Sequence, residues 1–130
     1  MSAMKSLARF FTTSQKIACT FGAKGTIPVL ARAGVVHLYR IALEAIANAI
    51  KHSKAKRIQV LLNGKPKELV LRISSNGLPF PDINHEKSGM GLRIMNYRAS
   101  LLNASLRVTA GNRDGTVVTC GIPVRRERVA

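Results

Sequence analysis

Glu44, Asn48 and His52 recur at intervals of four within HLYRIALEAIANAIKHS, residues 37–53. On an α-helix that spacing makes one row, with a carboxylate one turn before a carboxamide and an imidazole one turn after it. A carboxylate beside an amide oxygen suits a hydrated divalent cation, because Mg²⁺ prefers oxygen ligands and keeps several waters. The same row equally fits the solvated flank of an ordinary amphipathic helix. A second stretch, Ser88-Gly89-Met90-Gly91-Leu92, sets two glycines one residue apart between a loop and a helical pattern. Glycine lets the backbone pass close to a ligand, and the unpaired N–H groups of a helix start attract phosphate. Gly115-Thr116 opens the last strand pattern, and reads either as a hairpin turn or as a hydroxyl beside a nucleotide.

The elements that must hold these residues follow from hydrophobic spacing. Leu38, Ile41, Ala42, Ala45, Ile46 and Ala49 recur at three and four, which predicts a long helix over 37–53. Residues 4–13 predict a short helix, and the apolar, β-prone Ile17–Phe21 a strand. Gly22 to Arg32 is turn-rich, with room for a short strand near Val29–Leu30. Alternation predicts strands over 57–62 and 68–74, joined by an Asn63-Gly64 hairpin turn. Asn76 to Gly89 has no periodicity and is long enough for a mobile lid. A helix over 90–102 and strands over 105–110 and 116–123 complete the pattern. The expected fold class is α+β: a two-layer α/β sandwich, with a mixed, mostly antiparallel sheet and helices on one face.

The chain is 130 residues with a 46% hydrophobic fraction, enough for one domain with its own core. We expect a single domain over 1–130, its core at about 17–123, with no dimerisation, phosphoacceptor or sensor domain. No long uncharged apolar run argues for a membrane span, and a cytoplasmic monomer is the expectation. Cys19 and Cys120 lie far apart and read as reduced core residues. The net charge of +15 attracts polyanions in general. Its cations are scattered and not interleaved with aromatics, so a dedicated nucleic-acid surface is not expected.

Three blocks carry a family resemblance. EAIANAIKHSKA (44–55) is similar to the asparagine box of the ATP-binding catalytic domain of bacterial sensor histidine kinases, an ATPase superfamily shared with Hsp90, gyrase and MutL. ISSNGLPF (73–80) sits where the first glycine box falls. GMGLRIMNYRASLLNASLRV (89–108), closing in GTVVTCGIP (115–123), resembles the second glycine box and the last strands. The likeness is strongest to the branch that pairs with LuxR-type response regulators. It implies the Bergerat ATP-binding fold, with ATP and Mg²⁺ as cofactors.

The resemblance also implies roles. Asn48 would ligate Mg²⁺, and Glu44 would act as the catalytic polar residue that orients water or the phosphoacceptor. Lys51 and His52 would face the phosphates. Gly77 would serve in the first glycine box. Gly89, Met90, Gly91 and Leu92 would form the phosphate cradle, and Thr116 would line the adenine pocket. Arg98 matches a family arginine, with a structural ion pair as its expected role. Ser75 stands where the family has an aspartate that accepts from the adenine amino group. A neutral acceptor there costs roughly 1–3 kcal/mol of binding. Pro79 replaces the second glycine of that box, and Leu43 a common glutamine.

The function expected is therefore phosphoryl transfer from ATP·Mg²⁺ to a histidine on a separate segment, within two-component signal transduction. The implied partners are a histidine-bearing dimerisation domain and a response regulator, both in trans. Two alternatives stay open: a degenerate protein-interaction module of the same fold, or a stand-alone anti-sigma-type serine kinase.

Overall fold

The structure is a computed structural model that describes residues 2–77, 89–110 and 115–124. Its elements run α1 (Ser2–Gln15), β1 (Ala18–Gly25), α2 (Arg32–Ser53), β2 (Arg57–Gly64), β3 (Glu68–Ser75), α3 (Gly89–Leu101), β4 (Ser105–Ala110) and β5 (Thr116–Pro123). The strands form one sheet in the order β1-β2-β3-β5-β4. Only β1 and β2 pair in parallel; the other three pairings are antiparallel. The expected α+β sandwich is what the chain adopts.

A parallel pair needs a crossover connection, and α2 supplies it. Its predicted stripe, Leu38, Ile41, Ala42, Ala45, Ile46 and Ala49, is 0–4% exposed. That stripe lies on the inward side chains of the sheet: Ile58, Val60 and Leu62 of β2, Leu69, Leu71 and Ile73 of β3, and Val118, Cys120 and Ile122 of β5. Each fully buried isoleucine or leucine is worth about 1.5–3 kcal/mol. Segment 32–51 is long and apolar enough to cross a membrane, but in this fold its apolar stripe is the core. α3 packs on α2 and β4, and α1 packs on β1.

Four sequence expectations need correction. The helix expected from residue 37 begins at Arg32, after Ala31 as a cap that makes no side-chain hydrogen bond. The strand expected to end at Phe21 continues to Gly25, because its pairing with β2 extends to Gly25↔Gly64. Asn63 and Gly64 are not a turn: they pair with Val70 and Leu69 inside the ladder. The turn is Pro66-Lys67, closed by Lys65 N–H donating to the Glu68 carbonyl at 2.9 Å. No strand forms at Val29–Leu30. Most of the lid expected over 76–89, Pro79 included, lies outside the described residues.

Candidate functional site

Asn48 sits on the sheet-facing side of α2 and is 8% exposed. Its amide nitrogen Nδ2 is buried without a hydrogen-bond partner. Such an atom costs about 1–3 kcal/mol, so its retention points to a ligand or a water. Asn48 lines a small cavity of about 10 Å³, whose other polar lining residues among those described are Ser75 and Thr116. Its apolar walls are Ala45 and Ala49 of α2, Ile73 of β3, Met95 of α3, and Val108 and Val118 of β4 and β5.

Ser75 and Thr116 meet because β3 and β5 pair in register at these two residues. The Ser75 hydroxyl donates to the Thr116 carbonyl at 3.3 Å, a long and weak bond. Gly115, just before, has φ +88 and packs against the Ser75 carbonyl; a Cβ would collide with that oxygen. Only glycine allows the last strand to start this close to the site. Thr116 is 4% exposed, deeper than a simple turn residue would be.

Asn76 was not foreseen as a positioning residue. Its Oδ1 accepts from the backbone N–H of Lys56 at 2.9 Å and of Arg57 at 2.8 Å, while its own N–H donates to the Arg57 carbonyl. These bonds tie the end of β3 to the start of β2, and so fix Ser75. The signal was present as an asparagine just before Gly77, where φ is +107.

The remaining predicted residues are placed as follows. Glu44 is half-buried one turn before Asn48 and does not line the cavity. Lys51 is exposed on the last turns of α2, and the His52 side chain lies outside the described residues. Gly89, Met90 and Gly91 form the first turn of α3, and Leu92 packs on the core. Met95, one turn beyond Gly91, shares the cavity with Asn48. Among the described residues Arg98 makes no ion pair: its Nη1 lies 3.2 Å from His37 Nδ1. Arginine only donates, so His37 accepts at Nδ1 and clasps α3 to α2. A wider concavity of about 580 Å³, between Lys65–Glu68 and Gly121–Pro123, contains none of the predicted site residues.

The donor set fits a nucleotide bound with a shared cation. At about 10 Å³ the cavity holds one water, so a base enters only if the apolar walls part. Among the described residues no group of three or more His, Cys, Asp or Glu side chains is placed to hold a metal ion. One amide oxygen, from Asn48, suits a Mg²⁺ that takes its other ligands from phosphates and water.

Residues 33–126 match the family of histidine kinase-, DNA gyrase B- and HSP90-like ATPases. The sensor histidine kinase LiaS of Bacillus subtilis is 34% identical over 68% of this chain and 24% of its own length. The oxygen sensor histidine kinase NreB of Staphylococcus carnosus is 31% identical over 67% of this chain and 25% of its own. Among solved structures, the catalytic domain of histidine kinase ThkA superposes with a TM-score of 0.76 at 16% identity, covering 94% of this chain and 91% of that one. The ATP binding domain of PrrB from Mycobacterium tuberculosis does so at 0.75 and 18%, covering 96% and 93%. Fold and sequence together define a histidine-kinase-type ATPase domain. The chain belongs to the histidine kinase-, DNA gyrase B- and HSP90-like ATPase family. It spans about a quarter of the length of the curated relatives it matches.

Proposed function

We propose that this domain binds ATP with Mg²⁺ and passes the γ-phosphoryl to a histidine on a separate dimerisation segment, from which a response regulator draws it. The observation that carries this reading is the unpartnered Asn48 amide, buried in a cavity it shares with Ser75 and Thr116. Residues from three separate sequence blocks converge there. In this reading Asn48 offers its amide oxygen to Mg²⁺, and the first turn of α3 takes the phosphates on its free N–H groups. Glu44, half-buried on α2, orients the accepting group. When bound, Mg²⁺ neutralises charge on the phosphates. Lys51 adds a cation to the same end of α2.

Calorimetric titration of the chain with ATP and Mg²⁺ tests the binding half. Saturable heat at micromolar to millimolar ATP, lost in Asn48→Ala, is the expected result. Incubation with a separately purified histidine-bearing dimerisation segment and labelled ATP tests transfer.

A second reading is favoured by the cavity's size. About 10 Å³ is the space of one water, and a purine requires the apolar walls to part. If no nucleotide binds at millimolar concentration, the domain is a protein-interaction module that kept the fold.

A further inference from the structure

The face of the sheet turned away from the helices carries a hollow of its own. Side chains alternate across a strand, so the residues between the buried ones of β2, β3 and β5 project to this outer face. Pairing sets them in rows. One row runs Lys24, Asn63, Val70 and Gly121 across β1, β2, β3 and β5, and the next runs Gly22, Leu61, Arg72 and Thr119. Each row contains one glycine, which brings no side chain to fill the space. Half-buried Leu61 and Val70 make an apolar floor, and Lys24, Arg72 and Lys65, the last just after β2, stand around a concavity of about 230 Å³.

The lining is rich in donors. Beside the three cations it offers the Asn63 amide and the Thr119 hydroxyl, both half-buried. Among the described residues, the side chains of Lys24, Arg72, Asn63 and Thr119 have no hydrogen-bond or ion-pair partner. Lys24 and Arg72 stand two strands apart, about 10 Å at the backbone, which long side chains span to meet over one compact anion. The guanidinium grips an oxyanion with two parallel N–H bonds, and lysine adds point charges. The hollow lies below the range of about 300–1,000 Å³ that holds drug-sized ligands, so its occupant is small. No aromatic side chain among the described residues lines it, so it gives a nucleobase nothing to stack on. Three cations call for an anion with more than one charged group.

We propose that this hollow on the outer face of the sheet binds a compact oxyanion with two or more charged groups, of the class of diphosphate or a tricarboxylate. It is separate from the cleft of Asn48, which lies on the helix side of the sheet, and it stands whether or not a nucleotide binds there. The full chain is titrated calorimetrically with sodium diphosphate, and separately with citrate, at about 0.15 M ionic strength, where the Debye length is about 8 Å and diffuse attraction is weak. Magnesium is left out. Three variants are run beside it, each with a melting curve to show that it is folded. Lys24→Gln with Arg72→Gln empties the hollow of two charges. Lys5→Gln with Arg9→Gln removes the same charge from exposed positions of α1, on the other side of the sheet. Asn48→Ala alters the nucleotide cleft. The expected result is saturable one-site binding of at least one of the two anions, with a sub-millimolar dissociation constant. The hollow variant weakens it tenfold or more, and the α1 variant and Asn48→Ala change it less than about threefold. Either anion giving this pattern supports the proposal, and the tighter of the two tells phosphate from carboxylate. Saturable binding of neither anion overturns it. Equal weakening by the two charge-matched variants overturns it too, since the anion then follows net charge. So does binding lost in Asn48→Ala and kept in the hollow variant, which places the anion in the nucleotide cleft and leaves the proposed function standing.

Discussion

Asn48 is the residue at which stability and use diverge. Its amide is buried and unpartnered, a state that costs the protein about 1–3 kcal/mol in the absence of ligand. Leucine has nearly the same shape and no polar atom. Asn48→Leu should therefore raise the stability of the ligand-free domain by about 1 kcal/mol in a urea melt, while abolishing the nucleotide-dependent shift in midpoint. A variant less stable than the parent would show that the amide is satisfied in solution, and that the cavity beside it is not a ligand site. Cys120 makes the opposite case, of a reactive group silenced by packing. It is fully buried in β5, and burial pushes its thiol from 9.0 up to about 11. The protein thus favours the neutral thiol. The stability this implies is complete below pH 9 and is lost as pH rises through about 11, by roughly 2–3 kcal/mol. Melting curves at pH 8 and pH 11 of Cys120→Ala and the parent should converge by that amount; a constant difference would refute it.

At the scale of elements, α2 does most of the positioning, and its ends show how. It stops at Lys54, which sits in the left-handed region at φ 51, with its N–H and that of Ala55 both reaching the Ala49 carbonyl. Glycine is the usual residue there, since a side chain in this conformation costs about 1 kcal/mol. Lys54 is exposed, so Lys54→Gly should stabilise the domain by about 0.5–1 kcal/mol in thermal unfolding without altering the site. A loss of stability would mean that the lysine contributes more than its backbone costs. The stripe of α2 was legible in the sequence because helical periodicity is local, and so were the alternating strands β2, β3 and β5. What was not legible is what distant pairing decides. Asn63-Gly64 has the strongest local turn signal in the chain, yet β1 on one side and β3 on the other hold it extended, with Gly25 and Leu69 as its partners. Gly64 answers a tertiary demand: a Cβ there would strike the Thr26 carbonyl. The site shows the same division. Asn48, Ser75 and Thr116 were picked out singly from three blocks, and the fold alone supplied the apolar walls that join them. The clasp of Arg98 on His37 spans 61 residues of sequence, and no local pattern could have paired them.

The whole molecule carries a formal charge of +15, from 21 basic and 6 acidic residues. Among the described residues the only carboxylate side chains are Glu44 and Glu68, while Lys24, Lys51, Lys54, Lys56, Arg57, Arg72 and Arg107 are exposed. Folding gathers these like charges within a small volume, and the unfolded chain spreads them out. Self-repulsion therefore opposes the compact state. Salt shortens the Debye length from about 30 Å at 0.01 M to about 3 Å at 1 M, which screens the charges from one another. The melting temperature should consequently rise with sodium chloride across that range, and equally with potassium chloride at matched ionic strength. Nucleotide binding, drawn by the same field, should weaken over the same range. A melting temperature that falls with salt would mean that attractive pairs dominate the surface. A rise seen with phosphate but not with chloride would mean that the stabilisation comes from an occupied anion site and not from screening, and competition by ATP for that phosphate would then locate it in the cleft of Asn48.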